Sequence, residues 1–143
     1  MNATRNRTRR RSGRRLLAVA ALSAGVIAGT TASASAATTA TFSSGVLTVS
    51  GDSADNSIVV SRDAAGRILV NNAAVTVVGG TPTVANTTLI RVFGLDGQDV
   101  IALSEVNGAL PRAQLFGAAG NDTLTGGSGG DQLFGQTGND TLL

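Results

Sequence analysis

The stretch Gly117-Ala118-Ala119-Gly120-Asn121-Asp122-Thr123-Leu124-Thr125, Gly126-Gly127-Ser128-Gly129-Gly130-Asp131-Gln132-Leu133-Phe134, Gly135-Gln136-Thr137-Gly138-Asn139-Asp140-Thr141-Leu142-Leu143 decides how this chain is read. Three consecutive nine-residue units share one register, Gly-x-x-Gly-x-Asp-x-Leu-x, and the middle one has the fuller form Gly-Gly-x-Gly-x-Asp-x-Leu-x. A fixed short period marks stacked structural units. The glycine half of each unit must turn sharply, with positions at positive φ that glycine adopts without a Cβ clash. The x-Leu-x half is a very short strand whose side chains alternate, so Leu124, Leu133 and Leu142 are expected to point inward. Two units make one coil, and units two apart stack about 4.8 Å from each other in a parallel sheet. Asp122 and Asp140 then share a row, with Asp131 in the opposite one.

The pattern extends upstream. Gly94-Leu95-Asp96-Gly97-Gln98-Asp99-Val100-Ile101-Ala102 fits the register and lacks only the second glycine. Gly51-Asp52-Ser53-Ala54-Asp55-Asn56-Ser57-Ile58 is a worn copy, with Ala54 for the fourth-position glycine and Asn56 for the Asp. Residues 103–116 read as an insertion carrying Pro111; Asp99 to Asp122 spans 23 residues, two nonapeptides plus five, and Asp99 joins the Asp122 row if those five loop out. Between 41 and 92, runs such as Val46–Val49, Ile58–Ser61, Ile68–Val70, Val75–Val78 and Thr88–Phe93 are rich in β-branched residues and bounded by Gly, Asn, Asp and Pro. Thr38 to Ala40 reads as a short tether. The expected fold is all-β, a parallel β-roll or β-solenoid over 93–143 with an irregular β-rich part over 37–92. A small β-sandwich is the alternative for that part.

A row of carboxylates at strand spacing repels itself, by about 1 kcal/mol per neighbouring pair even in water-like dielectric. A hard cation removes the repulsion. Calcium takes six to eight oxygens at roughly 2.3–2.6 Å; Asp supplies charge, and glycine turns expose backbone carbonyls. The chain has no Cys and no His, which leaves little to hold zinc or copper. The competing reading of each Asp is a turn residue that bonds its own backbone; three in strict phase favour the cation. Asn56 lacks the charge and reads as a structural turn residue, and Asp52, Asp55 and Asp63 as solvated turn acids. Phe116 and Phe134 fall at the outward ninth position, where they are expected to pack on a neighbouring element.

These repeats resemble the hemolysin-type (RTX) nonapeptides of secreted bacterial calcium-binding proteins. The resemblance implies a parallel β-roll that orders when calcium binds outside the cell. Carried over by position, it implies Asp122, Asp131 and Asp140 as ligands, with Asp99 added from the upstream copy. Turn carbonyls would come from Gly117, Gly120 and Asn121, from Gly126, Gly127 and Gly129, and from Gly135, Gly138 and Asn139. Ala118 and Gln136 depart from the family's second glycine. The leader also departs from family members that are exported through a C-terminal signal.

Seven of the eleven arginines lie within residues 1–15, followed by an apolar stretch from Leu16 to Ile27 and by Ala34-Ser35-Ala36. This is the anatomy of a secretory signal peptide cleaved after Ala36, so a secreted chain is expected. Arg14-Arg15-Leu16-Leu17 resembles a twin-arginine signal loosely, and a retained anchor is a further alternative. Residues 37–143 carry four Arg against nine acids, a net −5, which argues against nucleic acid as a partner. No segment after the leader is apolar enough to span a membrane. Without His, Lys or Cys there is no partner to activate a nucleophile, so no enzyme is expected. An Asp99–Glu105 pair has nothing to place it across a cleft. The repeats stop without a polar capping turn, so further repeats or self-association are expected at that end. Two other readings stand beside calcium binding: an N-terminal piece of a longer adhesin or secreted enzyme, and a calcium-independent adhesive solenoid.

Overall fold

The computed structural model describes residues 37–143; the leader and its cleavage signal lie outside the described residues. Among the described residues, eleven strands make two sheets and there is no helix. The strands are β1 (Thr39–Ser43), β2 (Val46–Ser50), β3 (Ser57–Arg62), β4 (Ile68–Val70), β5 (Val77–Val78), β6 (Leu89–Asp96), β7 (Val100–Ser104), β8 (Ala113–Ala119), β9 (Thr123–Thr125), β10 (Gln132–Thr137) and β11 (Thr141–Leu142). The described part of the chain is therefore all-β. The six-stranded sheet has the order β10-β8-β6-β2-β1-β5 and the five-stranded sheet β11-β9-β7-β3-β4.

Both sheets are mixed. From β2 to β10, and from β3 to β11, every pairing is parallel. At the other end, β1 pairs antiparallel with β2 and β4 antiparallel with β3. β1 occupies residues whose first part reads as a tether in the sequence. It forms because Ser44 and Gly45 both take positive φ, 50° and 77°, the geometry of a two-residue hairpin turn whose twist suits the flanking strands.

The chain passes from one sheet to the other by short turns along one edge, at 51–56, 97–99, 120–122 and 138–140. Along the opposite edge it returns by connections of unequal length, at 63–88, 105–112 and 126–131, the first of which holds β4 and β5. The insertion foreseen at 103–116 narrows to the second of these, because β7 runs to Ser104 and β8 starts at Ala113.

Alternate residues of each strand fill the space between the sheets. Leu47, Val49, Ile90, Val92 and Leu115 from the larger sheet meet Ile58, Val60, Ile101 and Leu124 from the smaller, all fully buried. Each such side chain contributes about 1.5–3 kcal/mol on leaving water. Leu124 is inward as expected and Leu133 packs partly against the core. Leu142 does not follow: it is 48% exposed, because β11 is an edge strand of two residues with a neighbour on one side only.

Candidate metal centre

The turn edge carries the acids. Strand register places Ser57 beside Val100, Val100 beside Thr123, and Thr123 beside Thr141. The residues just before them, Asn56, Asp99, Asp122 and Asp140, therefore stand in one row. A single hydrogen bond, repeated, links them. The backbone N–H of Asn56 donates to Oδ1 of Asp99 at 2.8 Å, that of Asp99 to Oδ1 of Asp122 at 2.8 Å, and that of Asp122 to Oδ1 of Asp140 at 3.0 Å. The first two links cross 43 and 23 residues of sequence and the third 18, so the longer connections have been absorbed on the opposite edge.

The second oxygen of each carboxylate has a different fate. Oδ2 of Asp99 and Oδ2 of Asp122 are buried with no hydrogen-bond partner, in residues only 1% exposed. Unpartnered buried carboxylate oxygens are costly and call for an explanation such as an ion. Each is pressed onto the first glycine of its own unit: a Cβ on Gly94 would lie 2.0 Å from Oδ2 of Asp99, and one on Gly117 2.1 Å from Oδ2 of Asp122. Gly135 stands in the same relation to Asp140, at 2.2 Å. The leading glycine of the nonapeptide is thus the floor on which the row carboxylate rests.

The fourth-position glycine has a separate reason. Gly120 sits at φ +144°, and a Cβ there would fall 1.6 Å from the Gly97 carbonyl oxygen of the neighbouring coil; Gly138 meets the Gly120 carbonyl at the same distance. Ala54 is tolerated at the equivalent place because the row starts there, with Gly97 stacked on one side of it only. The second-position departures prove to be strained: Leu95, Ala118 and Gln136 all hold positive φ, 84°, 85° and 73°, a region where a side chain is disfavoured.

A parallel row runs beside the acids. The N–H of Gln98 donates to Oδ1 of Asp55 and the N–H of Asn139 to Oδ1 of Asn121, each at 2.8 Å. Asn121 and Asn139 therefore stitch one turn to the next through the amide side chain.

Burial pushes the Asp99 carboxyl above the ordinary carboxylate range; the Asn56 N–H opposes this, and the charges of Asp122, Asp55 and Asp52 reinforce it. Among the described residues no three acidic side chains converge on one point. A cation here must draw one or two carboxylates from adjacent coils and complete its shell from turn carbonyls. The buried unpartnered oxygens and the side-chain-free glycine turns suit a hard, oxygen-seeking cation.

Asp131 stands apart. It lies on the other edge, beside Ala113 rather than an acid. Both its oxygens are engaged: Oδ1 accepts from the Ala113 N–H and Oδ2 from the Gly127 N–H, each at 2.7 Å. Gly129 accepts from the Asp131 N–H through its carbonyl, and a Cβ on Gly126 would meet Asp131 Oδ2 at 3.2 Å. None of Gly126, Gly127 and Gly129 takes positive φ. The unit that matches the repeat pattern best in sequence makes the turn least like the others.

Sequence reasoning missed Glu105. Its carboxylate accepts from the N–H of Leu110 at 2.8 Å and of Ser128 at 2.9 Å, which holds its carboxyl below the usual range. It ties two successive connections on that edge together, and being the only Glu it carried no repeat signal. Gly94 and Gly97 were also passed over as site residues, although their unit was visible in the register.

A family model described as RTX calcium-binding nonapeptide repeat (4 copies) matches residues 114–142. Over these residues the chain carries RTX/hemolysin-type nonapeptide repeats. No curated protein and no solved structure matches the chain.

Proposed function

We propose that this is a secreted, non-catalytic calcium-binding protein in which the turn edge is the ion-binding edge of a parallel β-roll. One observation carries the reading: the two buried, unpartnered Oδ2 atoms of Asp99 and Asp122, lying under Gly94 and Gly117. Calcium would be held between adjacent coils by Asp99 with Asp122 and by Asp122 with Asp140, together with carbonyls of the 94–98, 117–121 and 135–139 turns. When bound, it supplies positive charge that offsets repulsion along the row. The protein's own part is to hold each carboxylate by its Oδ1 and leave Oδ2 free. Asp131 is assigned a structural role, since both its oxygens already accept backbone hydrogen bonds.

The signal-peptide anatomy of residues 1–36 supports export, and among the described residues no helix is long and apolar enough to cross a membrane. Millimolar calcium outside cells suits extracellular modules, whose dissociation constants run at about 10⁻⁴–10⁻³ M. Far-UV circular dichroism of the chain, titrated with calcium and with magnesium as control, tests the reading. A gain of β signal with calcium alone, reversed by chelator, is expected. A full β signal in chelator that calcium leaves unchanged, with no heat of binding, refutes it.

A further inference from the structure

The four arginines after the leader are disposed unequally. Arg67 pairs with Asp63 at 2.7 Å. Arg62 donates from Nη1 to the Ala109 carbonyl and packs against Gly108, clamping the 105–112 connection. Arg91 and Arg112, like Arg62, have no carboxylate within ion-pairing distance among the described residues. Each is steadied by a neutral acceptor on Nε alone, Arg91 by Gln114 Oε1 at 3.0 Å and Arg112 by the Thr88 carbonyl at 3.4 Å.

Both line a single polar cleft of about 270 Å³, together with Gln114, Gln132 and Gly130. Strand register puts Arg91, Gln114 and Gln132 in one row across β6, β8 and β10 on the outward face. Gln114 donates to Gln132 Oε1 at 2.8 Å, so the row is fixed from side chain to side chain. A neutral partner on Nε orients a guanidinium without consuming its charge, and the terminal amino groups remain as a planar fork suited to oxyanions. In a region whose net charge is −5, two of the three arginines without an acid partner among the described residues share the same cleft.

We propose that this cleft binds a tetrahedral oxyanion, as the free dianion or as a singly charged sulfate ester on a saccharide. Arg91 and Arg112 supply the matching charge, and Gln132 a neutral donor. Sulfate is the probe, because phosphate would precipitate in calcium-containing buffer. The full chain is titrated with sulfate at constant ionic strength, set by chloride, while the Arg Nε–H signals are followed by NMR. Saturable shifts of Arg91 and Arg112, with Arg67 unmoved, are expected. Arg91→Gln and Arg112→Gln should each weaken binding at least tenfold, and Arg67→Gln should not. A sulfated oligosaccharide compared with its unsulfated parent separates the two sources: tighter binding of the sulfated sugar than of free sulfate indicates an ester ligand, and equal binding the free anion. Absence of saturable shifts in the unmutated chain, or sulfate affinity unchanged in both cleft variants, overturns the proposal. The first of these readouts does not depend on whether a variant folds.

Discussion

The turn at 51–56 and the turns at 94–99 and 117–122 occupy the same edge, in the same row, with opposite solutions to one problem. In the first, Asn56 satisfies itself. Its Oδ1 accepts from the Asp52 N–H at 2.9 Å, and its Nδ2 donates to Asp52 Oδ1 at 2.9 Å and to the Ala54 carbonyl. In the others, Asp99 and Asp122 each leave one oxygen without a partner. An amide brings its own protons to the turn carbonyls; a carboxylate needs something else to stand between itself and them. The comparison teaches that polar satisfaction along this edge is set by one atom per coil, an NH₂ or an O⁻; under the proposed function, that same atom sets whether a coil needs a metal. The first turn satisfies its own polar atoms, and the later two each leave one carboxylate oxygen unpartnered.

The strongest way to break this comparison is steric. Gly120→Ala places a Cβ on the Gly97 carbonyl at positive φ, where neither backbone can yield. The cost should exceed about 4 kcal/mol, the range of exceptional substitutions, and calorimetry should find the last two coils unfolded with or without calcium. Ala54→Gly, at the equivalent position of the first coil, should change stability by about 1 kcal/mol or less.

Removing the shared carboxylate comes next. Asp122→Ala deletes the acceptor of the Asp99 N–H and a ligand of both proposed intervals. A loss of about 1–3 kcal/mol is expected without metal, along with nearly all of the calcium-induced rise in melting temperature. A rise that survives intact would show that the ions bind elsewhere.

Asp99→Asn sharpens the comparison by copying Asn56 into the second coil. The Asp99 carboxyl is raised in the folded chain, so the folded state holds its proton more tightly than the unfolded one. Without metal, this contribution favours folding below the ordinary carboxylate pKa and is lost as pH rises through the raised value. Thermal melts in chelator should therefore fall in stability from about pH 4 toward neutrality. The Asn variant should flatten that slope and bind calcium more weakly. A slope unchanged by the substitution would remove Asp99 as its source.

The smallest effect is expected on the other edge. Glu105→Gln keeps one acceptor and loses charge at a partly exposed site, for under roughly 1 kcal/mol. It should leave the calcium response unaltered; a lost response would move the ion-binding edge.

Much of the candidate site was legible. The nine-residue register exposed Asp122, Asp140 and the leading glycines, because a stacked turn needs the same residue type at the same place in every coil. Asp99 was legible too, since its unit keeps the register across a phase slip. Glu105 was not, because a contact made once leaves no period to read. The surroundings of Asp131 were not legible either, for the converse reason. Its unit has the fullest sequence match, yet its row neighbour is Ala113, and that depends on the length of the connection above it rather than on its own nine residues.

By itself the sequence determined most of the turns and, away from the edge strand, which side chains face the core, since these depend on local φ preference and on alternation within a few residues. Only the tertiary structure decided which turns stack on which. It brought Asn56, Asp99, Asp122 and Asp140 into one row across unequal stretches of chain, and it buried two carboxylate oxygens without partners. Stacking is a contact between segments far apart in sequence, won by the coil-on-coil backbone ladder and the shared apolar core, and no single repeat contains the information for it.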